Sequence, residues 1–226
     1  MSLISRVFLR LFLGLLLAAA LIFIPAGTLN FWQGWAFLAL AFIPIAFAYF
    51  FFYKRDPELI ARRLQTKEQV SEQRWLIRLL KPVFFLVFLL PSLDYRFGWS
   101  RIHLRAVPLS LMLLAQALFL CGFFIVFWVM NVNSFASRTI RVEPGQQVIS
   151  TGPYGLVRHP MYSGSILMWL SMPLTLGSFM ALPFFALLVP FYVFRLLNEE
   201  KILRQELPGY PEFCLKTRFR LVPFVW

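Results

Sequence analysis

Apolar positions along this chain come in long runs, and the polar positions between them form short, mostly basic segments. The first run covers residues 11–27. A second, residues 31–53, follows across the uncharged turn Ala26-Gly27-Thr28-Leu29-Asn30. Runs of this length with few charges read as membrane-spanning helices. Arg6 and Arg10 ahead of Ala18-Ala19-Ala20 have the layout of a leader peptide, but the closeness of the second run favours an uncleaved helical hairpin. Trp32 and Trp35 suit a bilayer interface. Residues 54–81 are polar, with Lys54, Arg55, Arg62, Arg63, Lys67, Arg74, Arg78 and Lys81 against Asp56, Glu58, Glu68 and Glu72. Leu59, Ile60, Leu64, Trp75, Leu76 and Leu79 are interleaved among them, so the segment predicts helices lying on the bilayer surface. A short third run, residues 82–95, ends at Pro91 and Asp94, and residues 106–130 form a long fourth. The last block, residues 161–197, exceeds what one helix needs to cross a core of about 30 Å at about 1.5 Å per residue. Pro173, Gly177 and Ser178 break it near the middle, which predicts two helices joined by a tight turn.

The pattern therefore predicts an all-α, polytopic transmembrane helical bundle of about five to six spans. It ends in a helical hairpin and a cytoplasmic C-terminal tail. Residues 1–105 are read as N-terminal membrane helices with the basic connector 54–81, and residues 106–226 as a core carrying the chemistry. Composition supports a membrane protein: 60% of the 226 residues are hydrophobic, 27 are Phe, and mean hydropathy is +0.72. A soluble domain of this size cannot hide so much apolar surface. The net charge of +12 does not point to nucleic acid, because the cations sit in the loops. Of the 22 lysines and arginines, all but Arg96, Arg101 and Arg105 fall on the side of the termini, 54–81 and 131–160. By the positive-inside rule that side is cytoplasmic. Cys121 lies in an apolar run and Cys214 in the polar tail, so no disulfide is expected. His103 and His159 are the only histidines, which excludes a His-rich metal site. Asp94 is placed to pair with Arg96 or Arg101 at the far face. Asn131 and Asn133 are placed to cap the fourth helix or shape the loop after it.

The chemistry concentrates in residues 152–162, Gly-Pro-Tyr-Gly-Leu-Val-Arg-His-Pro-Met-Tyr, and in the pair Glu199-Glu200. Pro160 stands where a helix would begin, after turn-forming Gly152-Pro153-Tyr154-Gly155. Arg158 and His159 thus precede a helix entering the membrane, where free N–H groups and the helix dipole favour anions. Tyr162 lies on the first turn. The returning helix ends at Arg195-Leu196-Leu197-Asn198-Glu199-Glu200, so both glutamates meet Arg158 and His159 across the hairpin. Polar clusters held at a membrane face are costly and usually functional. Carboxylates would hold an ammonium, ribose or sulfonium, and the cations a carboxylate. The bland alternative is an Arg–Glu ion pair locking two helix ends. Residues 207–226 mix aromatic and basic side chains and could lie on the membrane as a lid, or only as an anchor.

Gly152-Pro153-Tyr154, Arg158-His159-Pro160-x-Tyr162 and Glu199-Glu200 together resemble the signature of the isoprenylcysteine carboxyl methyltransferase family, which includes phospholipid methyltransferases and bacterial relatives. Leu207-Pro208-Gly209-Tyr210 and Arg218-x-Arg220-Leu221-x-Pro223 resemble the bacterial members. The resemblance covers roughly residues 105–226. It implies a membrane-embedded methyltransferase using S-adenosylmethionine without a Rossmann fold, and the chain carries no Gly-x-Gly-x-x-Gly fingerprint. It implies a cofactor pocket lined by Tyr154, Val157, His159, Pro160, Tyr162, Glu199 and Glu200, with Tyr210 added from the tail. Arg158, Arg195 and Arg218 are the candidate catalytic cations. The methyl acceptor would be a lipophilic or small carboxylate, thiol or amine reached from the bilayer. No metal and no nucleic acid is expected. The setting implied is an integral, bacterial inner-membrane protein with termini and active site cytoplasmic.

Two other readings compete. A similar Arg-His-Pro-x-Tyr and Glu-Glu pattern occurs in membrane sterol reductases, which use NADPH and are larger. A small transporter or structural membrane protein is the second, but the apolar runs carry almost no buried charge that would mark an ion pathway.

Overall fold

The computed structural model describes residues 2–65, 71–136 and 142–226, and every regular element among them is helical. Helix α1 (Leu3–Ala26) starts at Ser2, whose hydroxyl accepts the Ser5 N–H, and stops at Gly27, left-handed at φ 70°. Only a residue without Cβ adopts that turn cheaply, and it sends the chain back into α2 (Trp32–Arg55). Asp56 then caps α3 (Pro57–Arg63) by accepting the Leu59 N–H at 2.9 Å. Next come α4 (Ser71–Phe97), α5 (Trp99–His103) and α6 (Leu109–Val132). A 3₁₀ turn (Gly152–Gly155) precedes α7 (Pro160–Thr175), α8 (Leu182–Ala186), α9 (Leu188–Glu206) and α10 (Tyr210–Lys216).

Among the described residues, four stretches are long and apolar enough to cross a membrane: Leu3–Ala26, Trp32–Arg55, Leu109–Val132 and Leu182–Glu206, the last joining α8 to α9. Large apolar side chains on their outer faces, among them Phe8, Ile24, Ile43 and Phe124, are exposed. Helices apolar on all sides and open outward belong in hydrocarbon. A helical membrane bundle is therefore the fold.

Among the described residues, length and composition identify four of the expected five to six spans. The third run is not a separate short element. It forms the second part of the 27-residue α4, which begins at Ser71 inside the segment read as surface helices. Residues 71–81 contain no Gly and are mostly good helix formers, so nothing there stops the helix. Helix α7 has 16 residues, about 24 Å of rise and less than the hydrocarbon thickness. The anticipated two-helix hairpin is in three pieces, with Gly177 at φ 75° carrying the turn after Pro173. Lys67 and Glu68 of the connector lie outside the described residues.

Helices α6 and α7 touch at backbone distance. A Cβ on Gly122 would lie 2.6 Å from the Gly164 carbonyl oxygen, and one on Gly164 would lie 2.6 Å from that of Gly122. Small residues facing each other let membrane helices approach this closely. One buried apolar core gathers Ile22, Phe31, Phe37, Phe119, Met172 and Phe185. A second, towards the N-terminal end of α1 and the C-terminal end of α6, gathers Val7, Phe52, Leu59, Ile60, Val129 and Met130.

The far end is fixed by Asp94, which is buried and does not pair with Arg96 or Arg101 as anticipated. Gly98, at φ 70°, turns the chain so that Ser100 comes back onto it. Asp94 accepts the Ser100 N–H at 2.7 Å and the hydroxyls of Ser100 and Ser178. The Ser100 hydroxyl oxygen in turn accepts the N–H groups of Phe179 and Met180 at 3.0 and 3.1 Å. Arg101 donates instead to the Tyr95 carbonyl. The two cysteines are free, Cys121 exposed and Cys214 buried.

Candidate functional site

The opposite end of the bundle holds the polar residues singled out in the sequence. Gly152, at φ 59°, opens the 3₁₀ turn against Trp128 and Val132 of α6. The turn seats Tyr154, whose hydroxyl receives the Asn133 side-chain N–H at 2.7 Å. Asn133 follows the last residue of α6, and its side-chain Oδ1 accepts the Phe135 N–H at 2.9 Å. Burial pushes the Tyr154 phenol up to about 12, against the lowering effect of the Asn133 bond and with Glu199 adding to the rise. Val157 is buried behind the turn. Pro160 is the first residue of α7 and His159 its cap, as the sequence suggests.

The N–H groups at the start of α7 are partly taken by the chain itself. Arg158 and His159 donate their backbone N–H to the carbonyls of Phe219 and Arg220 at 2.9 and 3.0 Å. The Ser163 hydroxyl donates to the Leu221 carbonyl at 2.6 Å, and that of Thr217 to the Tyr154 carbonyl at 3.1 Å. Leu207, Tyr210, Phe213 and Cys214 bury themselves against Val142, Val148, Tyr154 and Leu203. The segment 207–226 is thus a roof laid across the start of α7.

Arg158 ties that roof down. Its Nε donates to the Thr217 carbonyl at 2.7 Å, and its Nη2 to the carbonyls of Cys214 and Arg218 at 3.3 and 2.9 Å. Its Nη1 meets Glu200 Oε1 at 3.0 Å. The same oxygen lies 3.4 Å from His159 Nε2, and Glu200 Oε2 receives Arg220 Nε at 3.2 Å. The Glu200 side chain is 5% exposed and that of Arg158 10%. The Tyr210 hydroxyl approaches His159 Nε2 at 3.4 Å. Burial and the neighbouring Glu200 charge hold its phenol well above the usual range.

Glu199 belongs to a second group. The Tyr162 hydroxyl donates to Glu199 Oε2 at 2.6 Å, and Arg195 also hydrogen-bonds Tyr162. The Tyr162 ring packs edge-on against Tyr192 at 5.8 Å, and Tyr192 accepts the Trp169 indole N–H at 2.6 Å. Among the described residues the buried Asn198 Nδ2 has no hydrogen-bond partner.

The structure thus brings together Tyr154, Val157, Arg158, His159, Pro160, Tyr162, Arg195, Glu199, Glu200 and Tyr210. It does not bring the Arg218 guanidinium there, since that side chain is exposed and only its carbonyl takes part. Arg220 makes the contact with Glu200 instead. Sequence reasoning quoted Arg220 only as part of the tail pattern and missed Thr217, Ser163 and Asn198. The two-residue spacing of Arg218 and Arg220 was the one available signal, and it does not say which side chain turns inward.

Residues 110–208 match the family model described as phospholipid methyltransferase. The chain is also similar to Delta(14)-sterol reductase of Mus musculus, 32% identical over 95 residues. That stretch is 39% of this chain and spans only 22% of the reductase.

Proposed function

We propose, from the match of residues 110–208 to the phospholipid methyltransferase family model, that this membrane protein is an S-adenosylmethionine-dependent methyltransferase of the isoprenylcysteine carboxyl methyltransferase type. The observation that carries the reading is the pairing of Tyr162 with Glu199 beside a roofed Arg158–His159–Glu200 cluster. The donor set suits the cofactor. Glu199 and the tyrosine rings match ammonium, ribose and sulfonium chemistry. The buried, unpartnered amide of Asn198 is a donor in need of an acceptor. Tyr154, Val157, His159, Pro160, Tyr162, Glu199, Glu200 and Tyr210 would hold it.

The cofactor supplies a methyl group on a positively charged sulfur, whose departure as a neutral thioether needs no acid. The chain's task is then alignment and exclusion of water. A carboxylate acceptor needs only a cation to orient it. Arg158 is saturated by three carbonyls and Glu200, so Arg195, beside Tyr162, is the better candidate. A thiol or amine acceptor must lose a proton, and Glu199 or His159 would take it. A lipophilic acceptor would enter from the bilayer between helices. The core would be residues 106–226, with the basic side and the site cytoplasmic in a bacterial inner membrane.

The test is calorimetric titration of S-adenosylmethionine into detergent-purified protein beside Glu199→Ala. Binding by the first and loss in the second is expected. No binding by folded protein overturns the reading. The partial similarity to the mouse sterol reductase favours a second reading, a reductase using NADPH. Binding of NADPH in the same titration, with S-adenosylmethionine ignored, would establish it.

A further inference from the structure

The segment 219–226 is bent in a way that its sequence does not favour. The Val225 N–H donates to the Val222 carbonyl at 3.2 Å, which closes a β-turn with Pro223 and Phe224 at its centre. Phe224 has φ 64° and is the one non-glycine among the described residues with positive φ. With Pro second and a positive φ third, this is the pattern of a type II turn, whose third position ordinarily takes Gly or Asn. A bulky aromatic residue there is strained. The strain does not serve to bury the ring, because Phe224 is 89% exposed and Val225 is 76% exposed. The turn is nevertheless held shut. The Trp226 carbonyl accepts the N–H groups of Arg220, Leu221 and Val222 at 2.8, 2.9 and 3.2 Å, and the Arg220 guanidinium lies 5.1 Å over the Trp226 ring.

Depth and charge say what the exposed ring meets. The Leu221 carbonyl is bonded to Ser163, on the first turn of α7, so the turn begins at the level where α7 starts. Leu215, 78% exposed, adds a further apolar side chain, and Lys216 and Arg218 stand exposed beside it. Apolar projections flanked by cations at a bilayer face match lipid chains below and anionic headgroups above.

We infer that residues 215–226 form a strap docked into an anionic lipid surface, with Phe224 and Val225 inserted and Lys216 and Arg218 on the headgroups. This goes beyond the methyltransferase reading and does not depend on it. The strap carries Arg220, so lipid docking and the contact of Arg220 with Glu200 are mechanically joined.

The experiment places a nitroxide at Val225→Cys in a Cys121→Ala background, in which the remaining Cys214 is buried. The protein is reconstituted in nanodiscs of phosphatidylcholine alone or with phosphatidylglycerol. Collision with oxygen and with a water-soluble nickel chelate is compared with a lipid-facing label at Leu13→Cys. The expected result is a nickel collision rate several-fold below that of the same label in the unfolded protein, lower still with phosphatidylglycerol. Phe224→Gly suits the turn and keeps the fold, and it should abolish this protection. Lys216→Gln with Arg218→Gln should lower the docking equilibrium constant roughly thirtyfold in the anionic discs. A label equally open to nickel in both discs, or protection that survives Phe224→Gly, overturns the inference. No methyl-transfer measurement enters, so this result and the cofactor titration fail separately.

Discussion

Replacing Glu200 with Gln should unfold the roof, whereas the same change at Glu199 should spare the fold and remove ligand binding. Glu200 is 5% exposed and its two oxygens face Arg158, His159 and Arg220. Without that charge, Arg158 keeps its carbonyls but loses its counter-charge at 10% exposure. Breaking a buried ion pair from one side costs about 3–5 kcal/mol. In a chain of this size that lowers Tm on the order of 10 °C. Glu199→Gln weakens one charge-assisted bond, from Tyr162, in a half-buried place, which costs about 1–2 kcal/mol. The assay is thermal unfolding in detergent followed by Trp fluorescence, with calorimetric cofactor titration below the lowered midpoint. The expected result is a large Tm drop with residual binding for Glu200→Gln, and a small drop with lost binding for Glu199→Gln. Equal Tm values for the two variants, or a Glu200→Gln midpoint within a degree of wild type, would refute the division of labour.

Three further outcomes follow from the geometry. Gly164→Ala places a methyl 2.6 Å from the Gly122 carbonyl, so it should cost about 1–3 kcal/mol by overpacking and lower Tm in detergent. Asp94→Ala removes the acceptor of Ser100 and Ser178 and should cost about 3 kcal/mol. Cofactor affinity, measured by titration, should stay unchanged because the site is at the other end. Tyr154 has its phenol raised from 10.0 to about 12 in the folded chain, so its contribution is intact below pH 10 and is lost as pH rises through about 12. Tyr154 should account for roughly 3 kcal/mol of the stability lost in that window of an alkaline unfolding series, so Tyr154→Phe should make the slope shallower than that of the wild type.

The hydropathy runs placed α1, α2 and α6 because each is a local property of consecutive residues. The start of α1 was set too late. Arg6 and Arg10 count as polar in a window, yet Arg10 sits on the helix and reaches the Leu64 carbonyl at 2.6 Å. The first residue of α7 was legible in Pro160, since a fixed φ and a missing N–H belong there. The continuity of α4 was not legible, because charge along 71–81 signals a surface rather than an end. The cluster was visible as a set of residue types, but the partners of Arg158 were not. Three of them are main-chain carbonyls at Cys214, Thr217 and Arg218, and a carbonyl leaves no mark in a sequence. The position of Arg220 depends on the same long-range docking.

The adjacency of Glu199 and Glu200 then has a physical reason. Neighbours on a helix point about 100° apart, so one turn of α9 can address two surroundings at once. Glu199 faces Tyr162 on α7, and Glu200 faces the start of α7 and the roof above it. Both oxygens of Glu200 are engaged by Arg158, His159 and Arg220, so a ligand meets that carboxylate only together with those partners, and Glu199 adds a second carboxylate not committed to the roof. A ligand reaching Glu199 from the roofed side must displace part of the segment 207–226. Arg220 is the outermost of the three, at 29% exposure against 10% for Arg158 and 5% for His159. Its contact is the one solvent can replace at least cost, since an exposed ion pair contributes little. Opening should therefore begin at Arg220, while the carbonyls on Arg158 keep the rest of the roof in register.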